Sequence, residues 1–288
     1  MPKSTQIKPF LKWVGGKTKL LSEIEKNLPK KLIKKSFNYV EPFLGGGAVF
    51  FHLVQKFNIE KAYLNDLNDN LIDVYINVRD KNTDLIQKLK KLESDYYGSN
   101  DKKRFFLDQR EKFNSIKKST QKSALFVFLN KTGFNGMYRE NSKGEYNIPF
   151  GQMKKPLICN KNLLENISGL LKDKEVVFTS KSFEKVMIEN RESFYYLDPP
   201  YRPTSKTSSF TDYTKSSFND ETQFSLKEYC DKIDKNGSFF MQSNSYSDDG
   251  FFQNLYQNRK INKLEVVRTI SADGKKRNKV CEILIKNY

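Results

Sequence analysis

Residues 194–201 read Phe-Tyr-Tyr-Leu-Asp-Pro-Pro-Tyr, and they restrict this chain more than any other stretch. Four consecutive apolar or aromatic residues predict a short strand buried on both faces, and the two prolines end it abruptly, because proline cannot continue a ladder. Strands buried on both sides belong to sheets covered by helices, so an open α/β sheet is the expected frame. In such sheets ligands bind outside the carboxyl ends of the strands. This strand delivers one carboxylate, one proline carbonyl and one aromatic ring to that edge. The trio suits an exocyclic amino group on a flat base. Asp198 can accept one N–H, the Pro199 or Pro200 carbonyl the other, and Tyr201 can stack on the ring. Read blandly, the same residues are a strand end and a proline-rich turn.

Two further segments narrow the choice. Residues 39–51 read Tyr-Val-Glu-Pro-Phe-Leu-Gly-Gly-Gly-Ala-Val-Phe-Phe: a strand, an acid, a glycine run and the start of an apolar helix. Adjacent glycines let a backbone turn tightly and approach a ligand closely. The spacing is not that of a dinucleotide fingerprint, and no Gly-Lys-Ser/Thr follows, so phosphate binding is not implied. Residues 61–66, Lys-Ala-Tyr-Leu-Asn-Asp, predict a second strand with an acid at its tip, where a ribose diol is commonly held. A nucleoside ligand without a pyrophosphate satisfies both observations, and S-adenosylmethionine fits.

Taken in order, the blocks Phe-Leu-Lys-Trp-Val-Gly-Gly-Lys (10–17), Glu-Pro-Phe-Leu-Gly-Gly-Gly (41–47), Asn65-Asp66 and Asp-Pro-Pro-Tyr (198–201) resemble the DNA adenine methylase family, the D12 class of N6-adenine methyltransferases. The resemblance extends from about residue 8 to residue 287. The segment 135–151, Asn-Gly-Met-Tyr-Arg-Glu-Asn-Ser-Lys-Gly-Glu-Tyr-Asn-Ile-Pro-Phe-Gly, is similar to the DNA-reading segment of GATC-specific members. The implied fold is a Rossmann-like S-adenosylmethionine-dependent methyltransferase: a mixed α/β sheet interrupted by a mainly helical target-recognition domain carrying a β-hairpin. The implied reaction is methyl transfer to N6 of a flipped-out adenine in double-stranded DNA, in 5′-GATC.

Charge agrees with a polyanionic partner. The chain has 288 residues, 51 Lys and Arg against 34 Asp and Glu, a net charge of +17 and a pI near 9.5. Part of that excess reflects a Lys-, Asn-, Ile- and Phe-rich composition. Cys159, Cys230 and Cys281 are unevenly spaced with no C-x-x-C, which predicts neither a disulfide framework nor a zinc site, and hence a reducing, cytoplasmic setting. His52 is the single histidine, so a His-based triad and a multi-His metal site are excluded; in the apolar run 48–54 it reads as a packing residue. No metal is expected. There is no signal peptide and no apolar run near 18 residues, so no membrane partner is expected. The expected partner is DNA, read by a monomer. A restriction endonuclease of the same system, without a stable complex, is a further partner that this class allows.

Periodicity predicts helices at 17–28, 47–56, 70–79 and 163–171, and strands at 38–42, 61–66, 176–179, 194–198, 238–242, 264–270 and 280–285. The last two, joined by 271–279, resemble the final hairpin of methyltransferases. Between 81 and 122 twelve Lys or Arg face six Asp or Glu, with interspersed aromatics, which predicts two or three helices with a basic surface. Residues 137–149 alternate polar and aromatic residues around Ser142 and Gly144, as in a hairpin. The expected division is a cofactor-binding catalytic domain, 1–80 and 172–288, and a target-recognition domain, 81–171.

The site expectations follow. Asp198, Pro199, Pro200 and Tyr201 form the catalytic set, with the second proline's carbonyl favoured by the resemblance. Acceptors on both N–H bonds would draw the adenine nitrogen towards tetrahedral geometry and stabilise its developing positive charge. Asp66 takes the ribose hydroxyls; Glu41, Phe43, Gly45 and Asp198 line the cofactor. By resemblance alone, Trp13 and Lys17 belong to the same pocket. Arg139 is the candidate for a bidentate contact to a guanine edge. By resemblance Lys12 reads a guanine, Met137 and Pro149 lie near a thymine methyl, Asn135 belongs to the reading segment, and Met153 stands where some members carry a stack-wedging aromatic. Residues 202–218 are expected to form a loop over the flipped base. An N4-cytosine methylase more often carries Ser-Pro-Pro-Tyr/Trp, which Asp198 opposes. A non-catalytic DNA-binding module is opposed by the intact acids. A nicotinamide-dependent oxidoreductase is opposed by the glycine spacing.

Overall fold

The computed structural model describes residues 6–187, 192–202, 218–267 and 279–288. Among them seven strands form one sheet in the order β3-β2-β1-β4-β5-β7-β6. The strands are β1 Phe37–Glu41, β2 Ile59–Asn65, β3 Glu175–Thr179, β4 Phe194–Leu197, β5 Phe239–Ser245, β6 Lys260–Val267 and β7 Lys279–Lys286. β1 to β5 run parallel; β7 is antiparallel to both β5 and β6. The strand order reverses between β1 and β4, the position at which open sheets leave a crevice.

Side-chain alternation assigns the two faces. In β4, Phe194 and Tyr196 join one apolar cluster while Tyr195 and Leu197 join the other, and all four are fully buried. In β1, Tyr39 and Val40 divide in the same way. This is the period-2 geometry of a strand covered on both sides.

One face is covered by α1 Leu21–Lys26, α2 Lys30–Ile33, α3 Ala48–Val54 and α4 Asp69–Asp80. α5 Asn82–Gly98 follows directly after Lys81, and α6 Lys102–Ser115, α7 Thr120–Thr132 and α8 Lys161–Asp173 complete a helical group packed around α7 and α4. The apolar cluster runs unbroken from the sheet through α4 into α7 and α5. The opposite face is covered by α9 Asp220–Lys235 and α10 Phe251–Leu255, with Leu226, Tyr229, Ile233 and Phe252 buried against it. α9, absent from the periodicity reading, starts at an Asn219 side chain that caps Thr222 N–H.

Three local differences from the sequence reading have physical causes. Residues 17–28 are not one helix: a 3-10 turn, Lys17–Lys19, precedes α1, because the Lys17 side chain turns inward. Residues 137–149 fold back on themselves with two isolated bridges, Gly133↔Phe150 and Glu140↔Tyr146, instead of a continuous ladder. Side chains from α6 replace the missing rungs: Asn114 brackets the Tyr146 backbone, and Arg110 donates to the Ile148 carbonyl. β6 begins four residues earlier than expected, paired along its length with β7. The connection expected at 271–279 and most of the loop expected at 202–218 lie outside the described residues.

Candidate active site and DNA-facing surface

Parallel pairing of β2, β1 and β4 brings three acids to one edge: Asp66, Glu41 and Asp198. Glu41 is 2% exposed. Burial raises its carboxyl well above the ordinary range; the Tyr39 hydroxyl, donating at 2.8 Å, opposes that, and the charges of Asp198 and Asp66 raise it further. Asp66 is also raised by burial, against two backbone N–H donors, Gly45 and Asn68, each at 2.9 Å. Its neighbour Asn65 locks the surrounding loops through the Pro42 and Lys181 carbonyls, the Lys181 N–H and the Thr179 hydroxyl.

Asp198 is held at both oxygens. Lys17 Nζ lies 2.8 Å from Oδ2 and also donates to the Gly15 carbonyl, while Ser243 Oγ on β5 donates to Oδ1 at 2.9 Å. Lys17 is 5% exposed and Asp198 20%, so the carboxylate is open on one side only. Lys17 Nζ also lies 4.7 Å from the centre of the Tyr201 ring. Pro199 is buried and Pro200 exposed at the mouth of the site. The Tyr201 hydroxyl donates to Glu282 Oε2 on β7 at 2.6 Å.

The glycine run makes close approaches within the protein itself. A Cβ on Gly45 would lie 2.7 Å from Trp13 Cδ1, and one on Gly47 would lie 2.9 Å from the Tyr75 hydroxyl. What approaches the glycines is the protein's own aromatic side chains, and Gly45 and Gly47 also take positive φ, +50° and +68°. Trp13 lies over this turn with its indole stacked on Phe126 and Tyr138, at 6.4 and 6.2 Å. Phe43, half-buried, packs against Phe183 and Phe218.

The segment 135–151 is tied to the N-terminal block by Asn130 of α7. Its Oδ1 accepts the Lys12 N–H at 2.9 Å, and its Nδ2 donates to the Lys12 and Gly136 carbonyls at 2.7 and 3.0 Å. Asn135 sits in the left-handed region, φ 53°. Beyond it Met137 is half-buried, and Arg139 is exposed with Nε donating to Asn147. Pro149 is exposed, and its carbonyl accepts the Phe134 N–H. Met153 stands out at the surface with Lys12 Nζ near its sulfur, and Phe134 is likewise exposed. Burial lowers the Lys12 amine, and burial followed by the Lys12 charge brings Lys131 down to about 8. No carboxylate pairs with either lysine among the described residues.

Sequence reasoning passed over Asn130, Ser243 and Glu282. Ser243 and Glu282 reach the site only through strand pairing, and Asn130 is a polar residue inside an apolar run, a signal that marks it in hindsight. His52, read as packing, also bonds Glu25 of α1 at 2.7 Å. Among the described residues no group of His, Cys, Asp or Glu is arranged for a metal, and no helix is long and apolar enough to cross a membrane.

A seven-stranded 3-2-1-4-5-7-6 sheet with acids at the tips of β1, β2 and β4 defines an S-adenosylmethionine-dependent type of methyltransferase fold. The model of the D12 class N6 adenine-specific DNA methyltransferases matches residues 13–270. Type II methyltransferase M.MjaIII of Methanocaldococcus jannaschii is 44% identical over 98% of this chain and 100% of its own length. Type II methyltransferase M1.LlaDCHI of Lactococcus lactis subsp. cremoris is 37% identical over 98% and 96%. DNA adenine methylase of Escherichia coli K12 is 33% identical over 96% and 93%. The chain belongs to the D12 class of adenine-specific DNA methyltransferases. Its substrate is therefore DNA, and members of this class generally use S-adenosylmethionine.

Proposed function

We propose that the chain transfers a methyl group from S-adenosylmethionine to N6 of an adenine flipped out of double-stranded 5′-GATC. The observation that carries the chemistry is the half-open Asp198 carboxylate beside Tyr201 at the tip of β4. The residues at this edge fit the donor. Each Asp66 oxygen accepts one backbone N–H and retains a second lone pair, which suits ribose hydroxyls. Asp198 supplies negative potential suited to a sulfonium, and Glu41, whose carboxyl an approaching ammonium would ionise, lines the same edge. When bound, the donor presents an electrophilic methyl group whose leaving group is already cationic.

Asp198 then accepts one amino N–H, and a carbonyl of the Pro199-Pro200 pair accepts the other. These fixed acceptors stabilise the positive charge that grows on the nitrogen, about 3–4 kcal/mol for one well-placed group. Tyr201 supports the base outside the duplex, where alone this geometry is reachable. Trp13, Lys17, Phe43 and Gly45 form the floor around the donor. The insert 81–171, joined by Lys12 of the N-terminal block, acts as the target-recognition unit: Lys12 and Arg139 face guanine edges, Met137 and Pro149 face a thymine methyl, and Asn135 shapes the turn that presents them. Met153 and Phe134 are exposed apolar side chains suited to wedge into the stack. The unpaired lysines at this face suit a phosphate backbone. The protein acts as a cytoplasmic monomer, and the type II names of two relatives favour pairing with a restriction system, without a stable complex with its endonuclease.

Long-read mapping of N6-methyladenine on unmethylated DNA exposed to the enzyme tests the target; a motif other than GATC refutes it. Arg139→Ala should cost about 1–3 kcal/mol of discrimination at one base pair. Equal weakening on every sequence would make Arg139 a phosphate clamp. Asp198→Ala should lower turnover by about 10²-fold or more with the fold intact, and a variant retaining about a tenth of wild-type turnover would contradict its role.

A further inference from the structure

We infer that Glu282 is a positioning residue that fixes the Tyr201 ring in its base-stacking orientation through the phenol–carboxylate hydrogen bond. The inference rests on the proposed role of Tyr201 as the support for the flipped base. Glu282 is 8% exposed in the middle of β7, paired with Ser245 of β5 on one side and Leu264 of β6 on the other. It forms no ion pair among the described residues. A buried carboxylate without a cation is costly, and an apolar side chain would serve the strand better unless the carboxylate has a task. Among the described residues the one side-chain group bonded to it is the Tyr201 hydroxyl, at 2.6 Å.

Tyr201 needs such an anchor because it lies beyond β4 in a proline-rich segment without regular structure. The following residue secures the backbone. Arg202 N–H reaches Asn244 Oδ1, and its guanidinium forks onto Asp220 of α9 and bonds Asp249. That secures the backbone; the ring itself has the Lys17 amine 4.7 Å from its centre and is held at its far end by Glu282. Burial, then the charges of Asp198 and Glu282, raise the phenol well above its usual range, so it remains protonated and able to donate. A ring set in advance spares the arriving base the cost of ordering it.

The test uses the full-length enzyme and S-adenosylmethionine with two duplexes: one carrying the target adenine, on which kcat is measured, and one carrying 2-aminopurine in its place, whose fluorescence rises when it unstacks. Glu282→Ala should lower kcat about 10-fold or more, weaken the 2-aminopurine signal, and leave the KM for S-adenosylmethionine within about twofold. Glu282→Gln, whose amide oxygen still accepts the phenol proton, should restore most of both. Tyr201→Phe removes the same bond from the other end and should match Glu282→Ala, with the double variant no worse than either single one. It also serves if Glu282→Ala does not fold. Unchanged kcat and fluorescence in Glu282→Ala, a Gln variant as poor as Ala, or losses that multiply in the double variant would each overturn the inference. Tyr201→Ala separates the two levels. If it flips and turns over normally, the stacking role itself fails. If it is impaired while Glu282→Ala is not, only the positioning role fails.

Discussion

Asn130→Ala should loosen the proposed recognition face more than the proposed cofactor edge. Asn130 is 3% exposed and makes three hydrogen bonds, with the Lys12 N–H, the Lys12 carbonyl and the Gly136 carbonyl. At about 1 kcal/mol net for each bond, the truncation should cost about 3 kcal/mol of stability. For a chain of this size that corresponds to a fall in Tm of about 6–12 °C. The functional effect follows from the geometry. Gly136 approaches Lys12 so closely that a Cβ would lie 2.4 Å from the Lys12 Cβ, and Asn130 is the polar clasp that keeps the two backbones together. Without it Lys12 and the 135–139 turn shift independently, and a misplacement of about 1 Å is enough to cost about 10²-fold in a positioned reaction. The assay compares kcat/KM on the mapped target duplex with that on a duplex altered at one base pair, alongside calorimetric S-adenosylmethionine binding and a thermal melt. The ratio of the two kcat/KM values should fall by more than the cofactor affinity does. A variant that melts normally, or that melts early yet keeps the wild-type ratio, would refute the clasp.

Two other outcomes are expected. Asp66→Ala should weaken S-adenosylmethionine by about 1.5–3 kcal/mol by calorimetry, the scale of hydrogen bonds to a charged group, and unchanged affinity would remove Asp66 from the site. Glu41 has a native pKa raised above its unfolded value, so the unfolded chain releases that proton first and wild-type stability declines as pH rises from the ordinary carboxylate range towards the raised native value. Glu41→Gln should flatten that decline, and thermal melts from about pH 4 to about pH 8 that run parallel for the two proteins would contradict it.

The parts of the site that were legible in the sequence are those set by short-range pattern. Glu41, Asp66 and Asp198 each terminate an apolar strand, and a strand end needs only a few residues to declare itself. The sheet order then brings them together by rules that hold across open α/β folds. Ser243, Glu282 and Asn130 were not legible, because each acts through a partner 45, 81 or 118 residues away along the chain. The glycine run was legible as a tight turn, but not as a seat for Trp13, since nothing local says what fills the space beside a missing Cβ. Alternation along 137–149 points to a hairpin, whereas Asn114 and Arg110 of a preceding helix do much of what a ladder would do.

Trp13 is the chain's single tryptophan, and it stands where the glycine turn after β1 meets Phe126 and Tyr138. The molecule therefore carries an optical probe at the junction of the two faces proposed to meet the donor and the DNA. Excited at the red edge, beyond tyrosine absorption, its emission comes from one indole pressed between a backbone turn and a pair of rings. On the proposed function, arrival of a nucleoside at the turn, or a shift of Tyr138 as the segment seats on a duplex, would change the environment of that same ring. Both events can be followed in unlabelled protein, in one cuvette and in either order of addition.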